Sequence, residues 1–202
     1  MNIDYPVSQG DLLETVADIQ MRQGICFALS TGWCLSGFKG QPFDLKTEFF
    51  RMVSRQRAYN QTFENQIKGL TAAAQYTQFF QAAESPSFKF MQDQARHVGV
   101  KCEKKLAKPD HVVPLISNVV SKGGTCILGF FGVDEGSNWG HATAIGKAKA
   151  GGGKATFFDP NQGQFSWPDR ASKDIIAQEI LGNLKAFYGV NSIRDYVVYE
   201  LS

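Results

Sequence analysis

An acyl-transfer site needs a nucleophile, a general base and a group that orients the base. The 202-residue chain carries a thiol, an imidazole and a carboxylate in settings that suit those parts: Cys26, His141 and Asp159. Cys26 follows Gln23-Gly24-Ile25 and opens the segment CFALS. A thiol in the first turn of a helix feels the positive end of the helix dipole, which favours the nucleophilic thiolate. Gly24 allows a sharp entry into such a helix and a close approach of substrate. None of the three is diagnostic alone. A lone cysteine is more often a small buried hydrophobe, a lone histidine a packed one, and an Asp before Pro a turn former.

Spacing links two of them. The stretches 141–147 and 155–159 read as strands joined by the glycine-rich turn AKAGGGKA. In an antiparallel hairpin, opposed residues share a constant index sum. A turn centred near residue 150 therefore sets His141 and Asp159 directly opposite, or one diagonal step apart, at its open end. Directly opposed side chains share a face with Cβ atoms about 4.5–5.5 Å apart, so the carboxylate is expected to hold the ring. A bulge in the turn would break that parity.

The elements that must position these residues follow from periodicity. A helix is expected over 10–23, with Asp11 as N-cap and Leu12, Leu13, Val16 and Ile19 at helical spacing. A second starts at Cys26 and closes near Gly37; 44–80 is mostly helical with a break near Asn60 or Gly69. Ser85-Pro86-Ser87 is expected to restart a helix that Gly99 ends, followed by a short strand over 100–106 and a helix over 111–121. The pattern then changes to strands at 125–131, 141–147, 155–159 and 195–201, with one long amphipathic helix over 171–188. Helices first and antiparallel strands second predict an α+β fold, a mainly helical half over about 1–122 packed on a sheet half over about 123–202, in a single domain spanning 1–202.

Composition removes several classes. Hydrophobic residues are 43% and charged residues 20%, which excludes disorder for the bulk of the chain. A net charge of +2 gives no reason to expect a nucleic-acid partner. The longest apolar run, TCILGFFGV, is far short of the roughly 20 residues that span a bilayer, so no integral membrane segment is expected. The N-terminus is acidic and polar, unlike a cleaved signal peptide. Cys34, Cys102 and Cys126 form no CxxC pair or zinc spacing with Cys26, so neither metal nor cofactor is expected. His97 and His111 suit helix surfaces. Lys101, Lys104, Lys105 and Lys108 suit a solvated face.

Cys, His and Asp in that order, with the thiol on an N-terminal helix and its partners on a C-terminal sheet, is the papain-like arrangement. GICFALSTGW (24–33), HATAI (141–145) and FFDPNQGQF (157–165) resemble the motif blocks of the YopT-type cysteine proteases, as do the separations between them. The resemblance implies a papain-like fold and a peptide-bond hydrolase. Cys26 would attack, His141 would protonate the leaving amine, and Asp159 would fix the imidazole tautomer. The backbone N–H of Cys26 would form the oxyanion hole with a side-chain donor. Papain-like enzymes place a Gln six positions before the cysteine, here Gln20; Gln23 is the rival. Trp33 or Trp139 would wall the cleft or simply pack.

The same resemblance implies a secreted bacterial effector, acting as a monomer on a protein substrate in the cytoplasm of a host or target cell. The acidic Asp4, Asp11, Glu14 and Asp18 suit either a helix N-terminus or a rim that attracts a basic substrate tail. Glutamine deamidation or acyl transfer would use the same three residues. A papain-like binding module without activity is the non-enzymatic alternative.

Overall fold

One antiparallel sheet of seven strands organises the chain. The computed structural model describes residues 1–6, 8, 10–11, 14, 26–41, 43–45, 47, 49, 51, 65–66, 68–147, 154–189 and 192–202. In chain order the strands are β1 (Asn2–Pro6), β2 (Cys102–Ala107), β3 (Thr125–Asp134), β4 (Ser137–Lys147), β5 (Ala155–Asp159), β6 (Gly163–Ser166) and β7 (Ile193–Leu201). Their order across the sheet is β1-β6-β5-β4-β3-β7-β2. The helices are α1 (Cys26–Phe38), α2 (Tyr76–Arg96), α3 (Val112–Ser121) and α4 (Lys173–Tyr188).

The alternation along β3 and β7 divides the core. Ile127, Phe131, Val197, Tyr199 and Leu201 face a cluster with Phe27 and Leu29 of α1 and Phe79, Ala83 and Met91 of α2. Cys126, Leu128, Phe130, Tyr196 and Val198 face the other way, onto Ile116 of α3 and Ile176, Ile180 and Leu184 of α4. Burial on both sides explains why β3 reads as a continuous apolar run rather than an alternating one.

The mixture of helices with one antiparallel sheet agrees with the expected α+β class, and helices cover both faces of the sheet. β2 lies where a short strand is expected, and β1 is a strand that the sequence reading does not include. β1 escapes a periodicity reading because it is an exposed edge strand. It is five residues long, pairs with β6, and leaves Ile3 63% exposed.

The sequence expectation at Ser85-Pro86-Ser87 is corrected. α2 runs unbroken through Pro86. Proline removes one N–H from the helical ladder, yet its surroundings hold the turn: Ser87 Oγ donates to the Ala83 carbonyl at 2.8 Å, and Tyr199 Oη to the Glu84 carbonyl at 3.3 Å. The lysine face is more than solvated. Lys104 pairs with Glu84 at 2.6 Å, Lys108 with Asp195 at 2.5 Å, and Lys105 with Glu200, while Lys101 stays exposed.

The second expected helix is α1, buried nearly all round, as its small or apolar residues allow. Thr31 satisfies its hydroxyl within the helix, where Oγ1 donates to the Phe27 carbonyl at 2.7 Å. The helix expected over 10–23 lies almost wholly outside the described residues, as does the expected break near Asn60. Gly69 sits in a turn at φ +81°, a conformation that favours glycine. Among the described residues no helix is long and apolar enough to cross a membrane.

Candidate active site

Cys26 is the first residue of α1. The first N–H groups of a helix lack intrahelical partners, so the Cys26 backbone N–H and the thiol share the positive end of a buried dipole. One turn on, Ser30 Oγ donates to the Ala142 carbonyl at 3.0 Å. That bond ties the head of α1 to the strand residue beside His141.

His141 lies in β4, and Asp159 ends β5. The pairing of β4 with β5 runs Ala144↔Phe158, Ile145↔Phe157, Gly146↔Thr156 and Lys147↔Ala155. Continuing it sets Asp159 across from Thr143, one diagonal step from His141. The chain then turns into β6, so β5 stops short of His141.

The imidazole Nε2 meets Asp159 Oδ1 at 3.0 Å. That leaves Nδ1 free of Asp159, and Cys26 lies close enough for its charge to act on the ring. Burial would lower the pKa of His141, but the charge of Cys26 and the hydrogen bonds and charge of Asp159 outweigh it and push it up to about 10. The protonated imidazole is therefore the favoured form.

Asp159 is 0% exposed. A buried carboxylate stays ionised only if its lone pairs are met, and here they are. Oδ1 accepts the Asn161 backbone N–H at 2.8 Å, Oδ2 accepts Gln162 Nε2 at 2.9 Å, and Tyr188 Oη lies 3.1 and 3.0 Å from the two oxygens. The Asn161 contact is an Asx turn. The bland turn-forming role of Asp159 and its pairing with His141 are thus met by one side chain.

The ring of His141 packs against Phe130 at 5.3 Å and Tyr188 at 4.8 Å between centroids. Gln162 lies within the FFDPNQGQF block, but nothing in its local pattern marks its bond to Asp159. Tyr188 carries no local signal, because it ends a helix far along the chain and meets the dyad only through tertiary contacts.

The two candidate oxyanion donors, Gln20 and Gln23, lie outside the described residues. Trp139 packs on Tyr188, with centroids 6.0 Å apart. Trp33 walls a different space. It stacks on Phe158 at 5.9 Å, donates to Gln164 Oε1 at 2.9 Å, and lines a cavity of about 760 Å³ with Phe38 and Phe43. Cys26, His141 and Asp159 do not line that cavity, so it is not the candidate site.

Cys34 and Cys126 are buried, and all four cysteines are unbridged. His97 and His111 are exposed, in the turns that end α2 and precede α3 rather than on helix surfaces. Among the described residues no group of three or more His, Cys, Asp or Glu side chains could hold a metal ion.

Residues 10–194 match the model of a peptidase family described as Yersinia/Haemophilus virulence surface antigen. In three dimensions the chain is similar to the crystal structure of the Pseudomonas avirulence protein AvrPphB. The match covers 93% of this chain and 97% of that one, at 18% identity and a TM-score of 0.53. At that identity the likeness speaks for the fold. No curated protein matches the chain.

Proposed function

We propose, for a chain that belongs to this YopT-type virulence family and is a cysteine protease with a papain-like fold, that Cys26, His141 and Asp159 are its catalytic triad. The observation that carries the assignment is the 3.0 Å bond between His141 Nε2 and a fully satisfied Asp159, with Cys26 close enough for its charge to act on the same ring.

The Cys26 thiolate attacks the scissile carbonyl carbon and forms the C–S bond. The oxygen takes the electron pair and turns toward the Cys26 backbone N–H and a glutamine side chain, Gln20 or Gln23. The imidazolium gives its Nδ1 proton to the amine as the C–N bond breaks, leaving a thioester on Cys26. Water then attacks the thioester as His141 takes its proton, and the thiolate leaves. Asp159 holds the ring in the tautomer that carries its remaining proton on Nε2.

A protease of this family acts on a protein substrate. We further read residues 1–202 as a single catalytic domain, active as a monomer, secreted, and working in the cytoplasm of a host or target cell.

The test is alkylation of Cys26 by iodoacetamide at pH 6, followed by peptide mass spectrometry. An ordinary thiol is almost wholly protonated there. Rapid labelling that falls at least about tenfold in His141→Ala supports the assignment. Labelling indifferent to His141 removes it. With a candidate substrate in hand, intact mass separates cleavage from deamidation, because cleavage splits the chain and deamidation adds about one dalton.

A further inference from the structure

Tyr188 makes contacts to both proposed partners of Cys26. It is the last residue of α4, and its backbone carbonyl accepts Ser192 Oγ at 2.6 Å. The ring is held on several sides: Phe130 at 5.1 Å, Trp139 at 6.0 Å and Phe187 at 4.9 Å between centroids. Its own hydroxyl accepts Asn161 Nδ2 at 3.0 Å, which leaves the hydroxyl proton for the Asp159 carboxylate.

We propose that Tyr188 is a positioning residue for the triad: its hydroxyl holds both oxygens of Asp159, and its ring covers the His141–Asp159 hydrogen bond. The inference rests on the triad reading above. A phenol contributes one proton, shared between two carboxylate oxygens, so it fixes the plane of the carboxylate and takes up part of its charge. Burial and the neighbouring anion raise the phenol's pKa, which keeps it a donor. The titratable groups that face the imidazole are Cys26 from α1, Asp159 from β5 and Tyr188 from α4, among the described residues. Phe130 of β3 adds an apolar wall.

The test is an NMR titration of the full chain carrying ¹³C-labelled histidine. The chain has three histidines, and the exposed His97 and His111 serve as references. Loss of one resonance in His141→Gln assigns the third. Tyr188→Phe keeps the ring and removes only the hydroxyl. Without that donor the carboxylate shares less of its charge, and the His141 midpoint should rise by about half a unit or more while the references stay put. A midpoint within about 0.2 units of wild type, or one that falls, overturns the hydroxyl's role.

Tyr188→Leu removes the ring, and solvent exchange of the His141 ring N–H should then quicken at least about tenfold. Unchanged exchange overturns the covering role. If the leucine variant does not fold, Tyr188→Phe still decides. Cys26→Ala keeps the two readings apart. A lowered His141 midpoint in that variant supports the triad. No change there removes the triad reading itself, whereas a lowered midpoint with an inert Tyr188→Phe removes only the inference about Tyr188.

Discussion

Ser30 Oγ donates a 3.0 Å hydrogen bond to the carbonyl of Ala142, across the interface between α1 and β4. Ser30 lies one turn after Cys26, and Ala142 follows His141. The bond is 0% exposed at the serine, so it fixes the distance between the proposed nucleophile and its base with no competition from water. Ser30→Ala should cost about 1–2 kcal/mol of stability by denaturant unfolding. It should also slow iodoacetamide labelling of Cys26 at pH 6 more than a surface Ser→Ala control does.

Removing the charge of Asp159 separates its two roles. Asp159→Asn keeps one acceptor oxygen but no charge to pair with an imidazolium, so labelling at pH 6 should drop at least about tenfold. Asp159→Ala strands the Asn161 N–H, Gln162 Nε2 and Tyr188 Oη together, and unfolding should show a further loss of about 2–4 kcal/mol. Equal stability of the two variants would mean that the turn does not depend on those bonds.

The pH dependence follows from His141. Its pKa in the folded chain is raised from 6.5 to about 10. The folded state therefore holds a proton that the unfolded chain releases between those values. The stabilising contribution is complete below about pH 6.5 and disappears as pH rises toward about 10. Unfolding free energies of wild type and His141→Gln, measured across that window, should converge as pH increases. Parallel curves would contradict the raised pKa.

Cysteine reactivity should be sharply divided. Burial raises the thiol pKa of Cys34 and Cys126, and of Cys102 to about 11. Brief treatment of the native chain with iodoacetamide at pH 7 should modify Cys26 and spare the other three, as read by peptide mass spectrometry. All four should react in denaturant. Native labelling of Cys34 at a comparable rate would show that α1 opens readily.

Gly132 allows no side chain. A Cβ there would lie 2.0 Å from the Ser192 carbonyl oxygen and 2.8 Å from Trp139 Cζ2. The first contact is backbone and cannot swing aside, so Gly132→Ala should lose about 3 kcal/mol or more in thermal or denaturant unfolding. A wild-type melting curve would show that the chain after α4 shifts easily.

Periodicity and local chemistry read from the sequence locate α1, α3, α4 and the central strands to within a few residues. They also predict that His141 and Asp159 share one face of a hairpin, because strand parity is a local property of two segments and their turn. The diagonal rather than the direct pairing follows from the register of β4 and β5, in which paired residue numbers sum to 302 rather than 300, a shift of two that keeps both side chains on one face.

Other features depend on distant partners. Pro86 stays within a helix because Ser87 and Tyr199 meet neighbouring carbonyls, and β1 is a strand because β6 supplies its partner. Tyr188 reaches Asp159 across a sequence separation of 29, and Ser30 reaches Ala142 across one of 112. The sequence by itself determined which residue types do the chemistry, and the local elements that carry them. Only the tertiary structure decided what surrounds them, because non-local packing leaves no periodicity in the chain.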